Sequence, residues 1–294
     1  MKQAYKALKF HAATLALIAT LDAIAEEYLA EGLVLTVRQL YYQMVSRDHV
    51  ENTVRSYNRI KNIVNDARLA GLIDWDAIED RTREFKKRPR WSSPSGILRA
   101  VAEQYHEDLW VGQPNRVFVV VEKEALSGVL SPVCDKFDVP LLAAKGYPSC
   151  SVLREFSQED LLPAVEAGQR PVILHLGDHD PSGLDMSRDL EERLRLFGEG
   201  VDLRLDRIAL NMDQIEEQHP PPNPAKETDS CFADYRRKFG EASWELDALT
   251  PTYLVELVRS HTERWIEKPA LWQRRHAKIA RERAKLATVA ESWA

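Results

Sequence analysis

Three carboxylates and one pair of adjacent tyrosines are the residues of this chain best suited to chemistry. Glu122 ends the apolar run in "VFVVVEKEA", and Asp178 and Asp180 end another in "VILHLGDHDPSG". If both runs are strands of an open α/β sheet, their carboxyl ends lie where such sheets bind ligands, and distant residues converge there. Acids with no cysteine pair or histidine cluster beside them form a hard oxygen site of the kind Mg²⁺ prefers, with Mn²⁺ able to replace it. Such an ion bridges phosphate oxygens and stabilises charge during phosphoryl transfer. The same residues have a structural reading. Asp180 before Pro181 resembles an N-cap with proline at the first helical position, Asp178 can hydrogen-bond the turn, and acids such as Glu122 often begin helices. His179 is expected to point away from its acidic neighbours.

The tyrosines lie in "LTVRQLYYQM", residues 35 to 44. Val37, Leu40, Tyr41 and Met44 recur at helical spacing and define one buried stripe, so Tyr41 reads as packing. Tyr42 is rotated about 100° away and shares its face with Arg38, one turn earlier, so it reads as available. A phenol titrates near 10 when unperturbed, and its attack on a phosphodiester needs a nearby cation or base; Arg38 supplies positive charge. An exposed tyrosine is otherwise an ordinary surface aromatic.

These groups need scaffolding, and the pattern around them supplies it. Residues 13 to 31 form an amphipathic helix ended near Gly32, Thr36 caps a second from Val37 to about Ser46, and a third runs from about Asn52 to Ala70. "LIDWDAIEDRT" then alternates as a short strand or wing would. Three helices and an extended hairpin suggest a winged helix, in which Arg55, Arg59, Lys61 and Arg68 of the third helix lie along DNA. A small helical dimerisation module is the plain alternative. Residues 86 to 96, "KKRPRWSSPSG", mark a linker, placing a first domain at 1–95, a linker at 96–115 and a second domain at 116–294. In the second, "RVFVVV", "VPLLAA", "PVILHLG" and "VDLRLDRIAL" alternate with helical segments, as βα units of a parallel sheet do, and the chain after "HPPPNP" is helical and charged.

Bulk properties restrict the choice further. The 294 residues suffice for two modest domains, and 44% hydrophobic with 29% charged residues excludes disorder and fibrous repeats. A net charge of −6 argues against coating nucleic acid indiscriminately, although residues 81 to 90 and 274 to 285 each concentrate six Lys or Arg. Cys134, Cys150 and Cys231 are scattered without a C-x-x-C pair, so a reducing cytoplasm is the expected location. Lys2, Lys6 and Lys9 precede an apolar run, but the acids after it suit an amphipathic first helix better than a leader. No run approaches the ~20 apolar residues of a membrane span, and no membrane partner is expected.

With those motifs in view, the chain resembles a known family. A glutamate at one strand end and D-x-D at a later one is the pattern of the TOPRIM domain. "VVEKEAL", "KGYPS" and "GDHDPSGLD" are similar to segments of the topoisomerase VI A subunit and the related meiotic double-strand-break transesterases, and "WELDAL" is a weaker echo. That family places a winged-helix domain bearing R-x-x-Y-Y ahead of the TOPRIM domain, and this chain has "RQLYY". The agreement covers roughly residues 10 to 215.

The resemblance implies an α/β chain with an N-terminal winged helix, a TOPRIM-type parallel sheet and a helical C-terminal region. It implies that Tyr42 forms a phosphotyrosyl link to a DNA 5′ end while Glu122, Asp178 and Asp180 hold Mg²⁺. It further implies a homodimer in which the tyrosine of one subunit works with the metal site of the other, cutting both strands of double-stranded DNA. Lys145, in "KGYPS", is a candidate for phosphate contact or an ordinary turn lysine. Strand passage in that family needs an ATPase B subunit; no P-loop motif occurs here, so a B-like partner is not encoded in this chain. Ser182 stands where many relatives carry an aromatic. The rival readings are a TOPRIM nuclease that hydrolyses DNA with Tyr42 structural, a non-catalytic winged-helix DNA-binding protein, and, more faintly, a D-x-D phosphatase that has no need of Glu122.

Overall fold

The computed structural model describes residues 1–79, 88–229 and 231–293. The first three helices are α1 (Ala12–Ala30), α2 (Val37–Ser46) and α3 (Val54–Leu69). Their facing sides bury Leu21, Leu40, Met44, Ile60 and Val64 in one core. Two threonines set where α2 and α3 begin. Thr36 Oγ1 accepts from the Gln39 N–H at 3.3 Å while Gln39 Oε1 accepts from the Thr36 N–H at 2.8 Å, a reciprocal capping box. Thr53 Oγ1 accepts from the Ser56 N–H at 3.1 Å.

Of the segment expected to form the wing, residues 72–79 form no hairpin among themselves, and residues 80–82 lie outside the described residues. Trp75–Ala77 is a single 3₁₀ turn, and Ile78 makes one parallel bridge to Leu35. Alternating apolar residues suit this arrangement as well as a strand, because Ile73 and Ile78 both reach the helical core while Asp74 caps the turn between them. At Gly71 (φ +72°) an added Cβ would lie 2.7 Å from the Ala4 backbone nitrogen, so glycine allows the N-terminal segment to run alongside. Residues 81–87 of the first basic cluster lie outside the described residues.

The segment read as a linker holds a helix, α4 (Pro94–Gln104), capped by Ser93 and packed along the C-terminal helix α12 (Pro269–Glu291). Beyond it comes a four-stranded parallel sheet: β1 (Asn115–Val121), β2 (Leu141–Ala143), β3 (Arg170–Leu176) and β4 (Arg204–Ala209), in the order β2-β1-β3-β4. Side chains alternate across it. Val117, Val119 and Val121 of β1 pack towards α5 (Ser127–Lys136) and α11 (Pro251–Glu263), while Phe118 and Val120 pack towards α6 (Cys150–Phe156) and α8 (Pro181–Phe197), with the short α7 (Leu162–Glu166) leading into β3. Burial on both faces explains why the strands read as unbroken apolar runs.

The register does the positioning. Val121 pairs with Leu176, so β1 and β3 end level and the residues that follow them become neighbours. The C-terminal region adds α9 (Met212–Gln218), α10 (Phe232–Phe239) and a short antiparallel pair, β5 (Asn223–Pro224) and β6 (Ala242–Ser243). Among the described residues no helix is long and apolar enough to cross a membrane.

Because the capping box sets the start of the tyrosine helix, Thr36→Ala is expected to lower stability by about 1 kcal/mol, read as a reduced urea midpoint at unchanged slope. An unchanged midpoint would mean that tertiary packing alone holds this helix end.

Candidate active site

Glu122 and Asp178 meet at the level strand ends. Glu122 Oε2 accepts the Asp178 backbone N–H at 2.8 Å, across 56 residues of sequence. The turn is tight at Gly177, where an added Cβ would stand 3.1 Å from Glu122 Oε2 and 3.2 Å from Arg207 Nη1. Arg207, from β4, fastens the whole turn. Its guanidinium donates to the carbonyls of Gly177 (2.9 Å), Asp178 (2.6 Å) and Gly183 (2.8 Å) and to Ser187 Oγ (2.9 Å). Burial lowers its pKa to about 10, and it stays cationic at neutral pH.

Asp180 is the N-cap of α8: its Oδ1 accepts from the Gly183 N–H at 2.6 Å, and Pro181 follows as the first helical residue. A side chain at position 183 would come within 2.3 Å of the Asp178 carbonyl, so this cap depends on glycine. His179 turns away, as expected. It is buried with its Nδ1 2.9 Å from the Tyr235 hydroxyl and its ring against Phe239 and Trp244, and burial lowers its pKa to about 4.

Asp178 points inward to a cluster that only a weak sequence echo marked. Its Oδ1 accepts from the Leu246 N–H at 2.7 Å, and its Oδ2 lies 2.9 Å from the Lys123 ammonium. Lys123 Nζ also contacts Glu245 Oε2 at 2.8 Å and Asp247 Oδ2 at 3.3 Å. Burial alone would lower the lysine pKa, but Asp247, Asp178 and Glu245 outweigh it and hold the ammonium charged. Glu245 in turn pairs with the Arg38 guanidinium, and Asp247 lies 3.5 Å from Arg38 Nε. A continuous ionic chain thus runs from α2 through Glu245 and Lys123 to Asp178 and, through its backbone, Glu122. The two acids of "WELDAL" flank buried Leu246, which brings both to the same place.

Five carboxyl groups (Glu122, Asp178, Asp180, Glu245, Asp247) face Lys123, Arg38 and Arg207, with Lys226 also acting on Asp180, so the acids outnumber the cations by one if all ionise. The consequences are visible. Burial, then the Asp178 charge, pushes Glu122 up to about 7; burial chiefly raises Asp180 and Asp247; and Asp247 Oδ1 is buried without a hydrogen bond. All donors are hard oxygens, the type that Mg²⁺ or Mn²⁺ takes. Among the described residues no three acids already converge on one ion position. Glu122 and Asp178 are adjacent, and Asp180, engaged as a cap through Oδ1, has Oδ2 as its second donor atom.

The two tyrosines separate, though not as a lone helix suggests. The Tyr41 hydroxyl is saturated, accepting from the Thr53 N–H at 3.0 Å and lying within 3.3 Å of acceptors on Glu51, Asn52 and Thr53. It is packing. Tyr42 was expected on an exposed face, yet only 3% of it is accessible. Segments from the far end of the chain, carrying Asn223 and Glu245, close over that face of α2. Tyr42 instead lines a cavity of ≈ 260 Å³ shared with Arg38, Tyr41, Tyr57, Asn52 and Asn223. Its hydroxyl accepts from Asn223 Nδ2 at 3.4 Å, and the Arg38 guanidinium lies 5.9 Å from its ring centre. Burial and the Glu245 charge raise the phenol pKa against the opposing pull of Asn223 and Arg38. The resting phenol is therefore neutral.

The basic candidates fall into two groups. Arg55, Arg59 and Lys61 are exposed on α3. Arg68 is committed to the fold: it donates to the Trp75 carbonyl at 2.9 Å and stacks 4.5 Å over that indole, so it is corrected from a DNA contact to a packing residue. Lys145 adopts a left-handed conformation (φ +56°) and pairs with Glu124 at 2.7 Å, although its side chain remains 63% exposed.

No protein-family model matches this chain, and comparison with curated proteins gives no match.

Glu122 generates a pH prediction. Its folded carboxyl sits near 7 against an ordinary 4.5, so ionisation in the folded state carries a cost that is full above pH 7 and disappears below about 4.5. In metal-free buffer Glu122→Gln should therefore stabilise the protein at pH 8, by on the order of 2–3 kcal/mol, and gain little at pH 4.5. Equal effects at both pH values would refute the assignment.

Proposed function

We propose that this chain is a DNA-cleaving transesterase of the type IIB topoisomerase A-subunit kind, with a winged-helix-like N-terminal unit and a TOPRIM-like sheet. The observation that carries this reading is the ionic chain Arg38–Glu245–Lys123–Asp178, which fixes the tyrosine-bearing helix beside the strand-end acids. A cap or a surface aromatic needs no such connection. Neither a D-x-D phosphatase nor a passive binding module calls for a buried tyrosine and arginine joined to the acids in this way.

In the proposed reaction the Tyr42 phenol oxygen bonds to phosphorus as the P–O3′ bond breaks. The product is a 5′-phosphotyrosyl end and a free 3′-hydroxyl. The phenolic proton leaves to water and O3′ gains a proton from water, while Glu122 serves as a carboxylate towards the cation. Arg38 remains charged and offers its guanidinium to the phosphate. Mg²⁺, or Mn²⁺ in its place, held by Glu122, Asp178 and Asp180, would supply charge to the phosphate oxygens. Arg55, Arg59, Lys61 and Lys145 bind the double-stranded DNA backbone.

The proposal includes a homodimer that cuts both strands, an ATPase B-like partner for strand passage, and a cytoplasmic location suited to three free cysteines. The burial of Tyr42 and its raised pKa favour a second reading, a hydrolytic nuclease in which this tyrosine only packs.

Supercoiled plasmid incubated with Mg²⁺ or Mn²⁺ and quenched with detergent separates the two. The transesterase predicts protein covalently attached to 5′ ends, lost in Tyr42→Phe, largely kept in Tyr41→Phe and absent in Asp178→Ala. Free ends that persist in Tyr42→Phe would establish the nuclease, and no cleavage with either metal would leave a binding module. Mixing Tyr42→Phe with Asp178→Ala protein should restore adduct if tyrosine and acids act across a dimer. No restoration would place both on one chain.

A further inference from the structure

Besides Tyr42 and Arg38, the cavity carries groups that the transesterase chemistry does not use. Tyr41, Tyr42 and Tyr57 supply aromatic rings, with Tyr41 5.4 Å from Tyr42 and 5.3 Å from Tyr57 between ring centres. Asn52, Asn223, Arg38 and Glu245 add amide, guanidinium and carboxylate groups to the same lining. At ≈ 260 Å³ it lies just under the roughly 300–1,000 Å³ of sites for drug-sized ligands, so its occupant is a small one. An apolar ligand would forgo the donors of Arg38, whose side chain stays 45% exposed, and a bare anion would meet Glu245. Rings beside convergent donors and acceptors suit one planar ring with a hydrogen-bonding edge.

We propose that this cavity receives a single unpaired nucleobase of the substrate strand next to the phosphate attacked by Tyr42. The inference rests on the DNA reading of the same site and adds a specificity pocket to it. The approach is suitably built. Val54, at the cavity lining, is 78% exposed, and Val54, Tyr57 and Lys61 follow one another at i, i+3 and i+7 along one face of α3. A strand entering over Val54 with its base against the half-buried Tyr57 ring thus meets the exposed Lys61 ammonium about one helical turn beyond Tyr57. Asn52 makes the pocket sensitive to how α3 begins: its amide donates to the Pro222 carbonyl at 2.9 Å and to Asn223 Oδ1 at 3.0 Å, tying the cavity walls together. The base comes either from single-stranded DNA or from a nucleotide turned out of a duplex.

Binding without cleavage tests this, using Tyr42→Phe protein in EDTA. Oligonucleotides carry 2-aminopurine at successive positions, in single-stranded and duplex form, with the 2-aminopurine deoxynucleotide as a third probe. The expected result is a fluorescence change at one position only. Val54→Trp, an exposed substitution that narrows the mouth without touching the core, should remove that change and weaken binding roughly 5- to 150-fold, the span of base–aromatic stacking. Tyr57→Leu should act in the same direction. A position-specific change in the single strand alone, or in the duplex as well, identifies the source of the base. Uniform fluorescence at every position, or binding indifferent to Val54→Trp, overturns the pocket while leaving the DNA reading intact. Binding of the free deoxynucleotide with no binding of either oligonucleotide supports a base pocket and overturns the DNA reading beneath it. No binding of any probe overturns both.

Discussion

The buried ammonium of Lys123 is the interaction on which the site depends. It stands among Asp178, Glu245 and Asp247, three carboxylates contributed by a strand end and by a segment nearly seventy residues later. Without a cation at that point the acids would repel one another in a medium that screens them poorly, and the segment carrying Glu245 would lose its hold on the sheet. The same segment covers α2. Lys123 therefore holds together not only the acidic centre but also the contact between the helical N-terminal unit and the sheet.

Positive charge here is necessary but incomplete. Lys123, Arg38 and Arg207 leave a negative excess, and the protein accommodates it by raising carboxyl pKa values and by leaving Asp247 Oδ1 unbonded. Perturbed carboxyls of this kind are commoner at functional sites than in well-satisfied cores. Tyr42 is held in the corresponding neutral state. Burial and Glu245 oppose its ionisation in the resting chain, so the proposed attack requires DNA and cation to activate it.

Much of the scaffold was legible in the sequence because short-range rules decide it. The Thr36 cap and the limits of α2, the ends of α1 and α3, and the four strands all follow from local periodicity and turn chemistry, and parallel pairing brought Glu122 to Asp178 as anticipated. What escaped was set by long-range packing. Helical periodicity correctly assigned Tyr41 to the core, but nothing local announced that residues 223 and 245 would close over Tyr42. Arg68 looked like its neighbours on α3 until Trp75 folded back against it. The alternation after α3 fitted a turn with two buried isoleucines as well as a wing. Arg207 was invisible because an arginine inside "RLDRIAL" gives no hint that five acceptors await it, and Glu245 and Asp247 carried only a faint echo of a motif.

The link between the lysine and the segment that covers the tyrosine helix can be measured directly by a double-mutant cycle. Lys123→Met, Glu245→Gln and the double variant would be compared by denaturant unfolding at pH 7.5 in metal-free buffer. A shared buried ion pair predicts a coupling energy above about 1 kcal/mol, the double variant being less destabilised than the sum of the singles. Effects that add within about 0.5 kcal/mol would contradict the account, because the two groups would then act independently and the tyrosine helix would owe its position to something else.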